Sequence, residues 1–121
     1  MATILIVEDQ ADIRDMVRLW LEMDDHEVFE AENGQVGVEQ VLELKPDITL
    51  MDMHMPVMDG HEAVEVLRKE HGYQGLIIAV TASAMKTDVD RVKETGCNGF
   101  IPKPIGEDFG ELVNGFLTED R

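Results

Sequence analysis

The chain has 121 residues, with 10 lysines and arginines against 26 aspartates and glutamates, for a formal net charge of -16 and a pI near 4.3. That length suits one domain, and 44% hydrophobic residues are enough for a packed core and argue against disorder. So acidic a surface disfavours binding to nucleic-acid phosphates or to anionic membranes.

The elements follow in order. Thr3 to Val7 is a short apolar run bounded by acids, the pattern of a buried strand. Ala11 to Met23 repeats Ile13, Met16, Val17 and Trp20 at helical spacing. Glu27 to Ala31 is a second, less apolar strand. Gly34 to Leu44 is helical, with Val38, Val41 and Leu42 on one face, and Pro46 closes it. Ile48 to Met51 is the third strand. Asp59 has the character of a helix N-cap, followed by an inner face of Ala63, Val64 and Leu67. Leu76 to Val80 is the most apolar strand, which suggests a central position. A weakly amphipathic helix runs from about Met85 to Thr95, then a short strand covers Gly99 to Ile101. The last helix carries Phe109, Leu112, Val113, Phe116 and Leu117.

Five strands alternating with five helices predict an α/β fold, a parallel sheet covered on both faces. In such sheets ligands sit beyond the carboxyl ends of the strands. The chain places Glu8-Asp9, Asp52, Thr81 and Lys103 at those ends. Three carboxylates in one pocket cannot all ionise without compensation. A hard divalent ion with oxygen ligands supplies it, and Mg²⁺ is the usual ion beside phosphate. Asp9 and Asp52 are the expected direct ligands, with the longer Glu8 acting through a water. Lys103 adds a fixed positive charge and Thr81 a short hydroxyl. Together these groups are suited to surround a phosphoryl group, whose transfer needs positioning and charge neutralisation above all. An aspartate is a reasonable nucleophile for it.

This set resembles the receiver domains of two-component response regulators. The likeness rests on Glu8-Asp9, on Met51-Asp52-Met53-His54-Met55-Pro56, on Asp59-Gly60, on Thr81-Ala82 and on Lys103-Pro104, and it covers essentially the whole chain in order. It implies a flavodoxin-like (βα)5 three-layer sandwich with strand order 2-1-3-4-5, in a single receiver domain spanning 1–121. It implies that Asp52 accepts a phosphoryl group from a sensor histidine kinase or a histidine phosphotransfer protein. Mg²⁺ would be held by Glu8, Asp9, Asp52 and the backbone carbonyl of His54, with Thr81 and Lys103 on the phosphoryl oxygens. Phe100 matches the family's switch aromatic, alongside Thr81, though without a tyrosine's hydroxyl, and reads equally as a core aromatic that stays packed. The Lys103-Pro104 bond is a candidate cis peptide. Such a module is no enzyme beyond its own phosphorylation and dephosphorylation. Output would pass to a downstream protein target, through the surface of the fourth helix, fifth strand and fifth helix, about Met85 to Phe116. A homodimer can use the same face.

Other side chains read as background. His54 and Ser83 would be rim residues that tune access or dephosphorylation. His26, His61 and His71 show no partner pattern and read as surface residues. The single cysteine, Cys97, reads as structural. No signal peptide or membrane span is visible, so a cytoplasmic location is the default expectation. The chain reads as a stand-alone receiver or equally as one cut from a larger regulator or hybrid kinase, with the Met1 start favouring the first. Two competing readings fare worse. A haloacid-dehalogenase-like phosphatase calls for Asp-x-Asp after the first strand, whereas Asp52-Met53-His54 lacks the second acid and follows the third. A flavin or dinucleotide carrier lacks the G-x-G-x-x-G loop.

Overall fold

The computed structural model describes residues 2–55, 57–82, 86–103, 105–106 and 108–118. The expectations for Ser83, for the Lys103-Pro104 bond and for Met85 as the first residue of the fourth helix fall outside these residues.

The strands are β1 (Thr3–Val7), β2 (Glu27–Ala31), β3 (Ile48–Asp52), β4 (Ile77–Thr81) and β5 (Gly99–Pro102). Between and after them run α1 (Ala11–Met23), α2 (Gly34–Leu44), α3 (Gly60–Glu65), α4 (Lys86–Thr95) and α5 (Phe109–Thr118). A single π-helical turn, Val66–Glu70, continues α3. The sheet is parallel throughout, in the order β2-β1-β3-β4-β5. Strands β3 and β4 are buried at every residue, as continuous apolar runs covered on both faces require. The apolar β4 is an interior strand, while the middle of the order falls to β3.

Alternation along the strands divides the core into two layers. One face sends Leu5, Val7, Met51, Ile77 and Ala79 towards Val38 and Val41 of α2, Ala63 and Val64 of α3 and Val92 of α4. The other sends Ile4, Ile6, Leu50, Ile78 and Val80 towards Val17 and Leu21 of α1 and Phe109 and Val113 of α5. Trp20 and Phe109 bridge the two helices of that second layer, ring centroids 6.4 Å apart. The inner stripe of α1 centres on Val17 and Leu21. Met16, part of the same apolar repeat, lies on its flank with 37% of its surface exposed.

Helix starts follow local chemistry. Asn33 Oδ1 accepts the Val36 N–H at 2.9 Å, and Asp59 Oδ1 accepts the Glu62 N–H at 2.9 Å, each satisfying an otherwise orphaned donor. Lys45, in left-handed conformation at φ 47°, ends α2 just before Pro46.

Candidate functional site

Register builds the site. Val7 pairs with Met51, so Glu8, one residue on, stands beside Asp52. Asp52 pairs with Val80, and Thr81 pairs with Pro102, which brings Thr81 and then Lys103 to the same edge. The Lys103 N–H donates to the Thr81 carbonyl at 2.7 Å and fixes the two strand ends together.

Glu8, Asp52 and Thr81 are each only 3% exposed, which decides that these are not ordinary surface polar groups. A carboxylate oxygen from each of Glu8, Asp9 and Asp52 lies within 4.8 Å of the others. Lys103 Nζ donates to Glu8 Oε1 at 2.9 Å and lies 3.5 Å from Asp52 Oδ2. Glu8 Oε2 accepts the Gln10 N–H at 3.2 Å, and Asp52 Oδ1 accepts the His54 N–H at 3.1 Å. One ammonium thus faces three acids.

The electrostatics follow from that imbalance. Burial, then the hydrogen bond to Glu8 and its charge, raise the Asp9 carboxyl above its ordinary 3.8. Burial alone would lower Lys103, but the hydrogen bond to Glu8 and the charges of Asp52 and Glu8 outweigh it and raise the ammonium's pKa. The donor set fits a hard divalent cation: oxygen ligands only, excess negative charge, two buried acids and a more open third.

Gly60 shapes the floor. A Cβ there would collide with the Asp52 carbonyl oxygen and with Met53, and the Gly60 N–H donates to the Met53 carbonyl at 3.3 Å. Asp59-Gly60 is therefore a close approach of α3 to the strand end that carries Asp52. In the loop between them Val57 adopts φ 71°, a strained conformation for a β-branched residue.

The structure brings together every sequence-predicted acid, with Thr81 and Lys103. The His54 side chain is exposed, with its backbone turned to Asp52. Phe100 is partly buried and packs on the α2–α3–α4 layer. Two histidines correct the sequence reading. His61 is 7% exposed and its Nδ1 lies 3.2 Å from Thr95 Oγ1, linking α3 to α4. His26 accepts the Ala2 N–H on Nδ1 at 3.1 Å and contacts Asn114 through Nε2 at 2.9 Å. No spacing rule exposes such pairs, because their members lie 24 to 88 residues apart. His71 is exposed, as expected. Cys97 is buried, and burial pushes its thiol up to about 12, so it is inert at neutral pH. Sequence reasoning also missed Arg14 and Arg68. Arg68 donates to the carbonyls of Tyr73, Gly75 and Gly96 and to Asn98 Oδ1, tying the turn after α3 to the α4–β5 connection.

An acid-lined pocket with one lysine and one threonine, at the carboxyl edge of a 2-1-3-4-5 sheet, defines a class. Residues 4–114 match the response regulator receiver domain, and the chain belongs to that family, the signalling modules of two-component systems. It is 32% identical over 119 residues to the polar-differentiation response regulator DivK of Brucella anthropi, covering 97% of each chain. Its fold is similar to that of chemotaxis protein CheY4 of Vibrio cholerae, with TM-score 0.87, 27% identity and 97% and 98% of the two chains covered. It is also similar to the receiver domain of sensor histidine kinase PA1611 from Pseudomonas aeruginosa, with TM-score 0.86, 27% identity and 98% of both chains covered. That structure holds a magnesium ion coordinated in its active-site cleft. No described helix of the present chain is long and apolar enough to cross a membrane.

Proposed function

We propose that Asp52 is the phosphoacceptor of this receiver, taking its phosphoryl group from the phosphohistidine of a sensor kinase or a histidine phosphotransfer protein. The observation that carries the reading is the Asp52 carboxylate itself. It is buried at the end of β3, within 4.8 Å of two further acids and 3.5 Å from Lys103 Nζ.

One Asp52 oxygen attacks phosphorus, the P–N bond breaks, and its electron pair stays on the donor's ring nitrogen. The product is an acyl phosphate, which water later returns to carboxylate and inorganic phosphate. A bound Mg²⁺ supplies charge neutralisation at the phosphoryl oxygens. Glu8, Asp9, Asp52 and the His54 carbonyl would hold that ion. Glu8 already has both oxygens hydrogen-bonded, which suits a supporting role, and leaves Asp9 and Asp52 as the direct ligands. The Lys103 ammonium, held charged by its acidic neighbours, and the Thr81 hydroxyl complete the phosphoryl cradle. When Lys103 turns from Glu8 to the new phosphoryl group, the Thr81 end of β4 moves with it. Phe100, one strand away and only partly buried, repacks and alters the α4–β5–α5 surface for a downstream protein or a second copy. The apolar cleft of about 470 Å³ formed by Ile13, Met16, Ala82, Lys103 and Ile105 suits the approach of a protein phosphodonor. The same reading takes residues 1–121 as one domain acting in the cytoplasm, which catalyses only its own phosphorylation and dephosphorylation.

The test is intact mass after incubation with a small phosphodonor and Mg²⁺. The expected result is the gain of one phosphoryl group, lost in Asp52→Asn and in EDTA. No gain, or a gain that persists in Asp52→Asn, rejects the assignment.

A further inference from the structure

Glu8 and Asp9 sit on a short connection between β1 and α1, and one side chain outside the acidic set fixes it. Arg14 Nη1 donates to the Glu8 carbonyl oxygen at 2.7 Å. Its Nε lies 3.5 Å from Glu30 Oε1, and the side chain is only 18% exposed. Glu30 is anchored in turn, its Oε2 accepting from Arg18 Nη1 at 2.5 Å and its main-chain oxygen from Gln40 Nε2 at 3.0 Å. Helical side chains lean towards the N-terminus, so an arginine in the first turn of α1 covers the connection that precedes it. The Glu8 N–H is held separately by the Ala31 carbonyl at 3.0 Å.

The carbonyl that Arg14 grips belongs to the peptide group joining Glu8 to Asp9. With the N–H of Glu8 held by β2 and its C=O held by Arg14, both peptide planes around Glu8 are fixed. The plane from which Asp9 departs is fixed with them. Among the described residues Arg14 makes no hydrogen bond or ion pair to the Glu8, Asp9 or Asp52 carboxylate.

We infer that Arg14 is a positioning residue for the divalent-cation site, orienting Glu8 and Asp9 through the peptide between them. The inference rests on the proposed function. Its electrostatic alternative has the opposite sign: an arginine near an acidic pocket repels a cation, so removing it by charge alone would tighten binding. Losing a support behind metal ligands weakens binding, commonly by tenfold or more.

Isothermal titration calorimetry with MgCl₂ on the intact chain separates these cases, with urea midpoints in EDTA as the folding control. Arg14→Met keeps the aliphatic stem and removes both contacts. It is expected to bind Mg²⁺ about tenfold more weakly with a folded apo state. Arg14→Lys, which keeps the charge and one donor, is expected to fall between Arg14→Met and wild type. Arg18→Ala, which leaves the grip on the Glu8 carbonyl in place, is expected to stay within about twofold of wild type. Binding by Arg14→Met equal to or tighter than wild type overturns the inference, as does an Arg14→Met chain that no longer folds. Equal weakening in Arg18→Ala overturns it too, since the weakening would then arise without loss of the Arg14 contact to the Glu8 carbonyl. Wild-type chain that takes up no Mg²⁺ rejects the proposed function together with this inference, whereas a wild type that binds beside an unaffected Arg14→Met rejects the inference alone.

Discussion

Replacing Asp9 by Asn should make the chain more stable without Mg²⁺ and less stable with it. At the 4.8 Å limit of their separation, two unit charges interact by about 0.9 kcal/mol at the dielectric of water and about 3.5 kcal/mol at an effective value of 20. Asp9 is the more open of the three acids, which puts each of its repulsions, with Glu8 and with Asp52, near the lower figure. Attraction to Lys103 offsets one of them, leaving a net penalty of about 1 kcal/mol. Asp9→Asn removes that penalty, so in EDTA at pH 7 the melting temperature should rise by about 3–5 °C. Because the folded-state pKa of Asp9 is raised above 3.8, the penalty is present above that folded value. The difference between the two chains should shrink as pH falls through it and vanish below 3.8. With Mg²⁺ the order inverts. At a hundred times its dissociation constant the ion stabilises the wild type by about 2.7 kcal/mol, whereas the variant has lost an expected direct ligand and gains little. Differential scanning calorimetry in EDTA and in Mg²⁺ reads both halves. A variant less stable than wild type in EDTA, or one that gains as much from Mg²⁺, would refute the reasoning.

Thr49 is fully buried in β3, and its hydroxyl has no hydrogen-bond partner among the described residues; Thr49→Val should therefore raise stability by about 1 kcal/mol, seen as a higher urea midpoint with an unchanged slope. Gly60→Ala puts a methyl group against the Asp52 carbonyl and Met53. It should cost about 1–3 kcal/mol in the same assay and slow phosphorylation of Asp52. His61 is held below its ordinary 6.5 first by burial and then by Arg91 and His54, against the opposing charges of Asp59 and Glu65. A depressed histidine contributes stability above its unfolded value and loses it as pH falls through 6.5 towards the folded value. Urea midpoints at pH 7.5 and pH 5 should thus fall further for wild type than for His61→Gln.

The acids, the lysine and the threonine were legible in the sequence because strand-end positions in an alternating β–α pattern share one edge. Helix faces are legible to within one residue of rotation: the apolar repeat of α1 includes both Val17, which is buried, and Met16, which lies exposed beside it. The roles of His26, His61, Arg14 and Arg68 were not legible. Each acts through a hydrogen bond to a backbone carbonyl or N–H, or to a side chain on another element, and such partners leave no periodic trace. Gly60 was legible as part of a motif, and its cause, contact with the backbone of Asp52, required coordinates.

By itself, then, the sequence determined the five alternating units and the chemistry at their ends, because hydrophobic periodicity and residue type are local properties. Only the tertiary structure decided how that chemistry is balanced. The register of β1 against β3 and of β4 against β5 sets which acid meets Lys103. The packing of α1 on β2 sets which arginine holds the connection carrying Glu8 and Asp9. Both depend on distances between residues far apart in the chain, and Coulomb and hydrogen-bond energies change with those distances over a few ångströms.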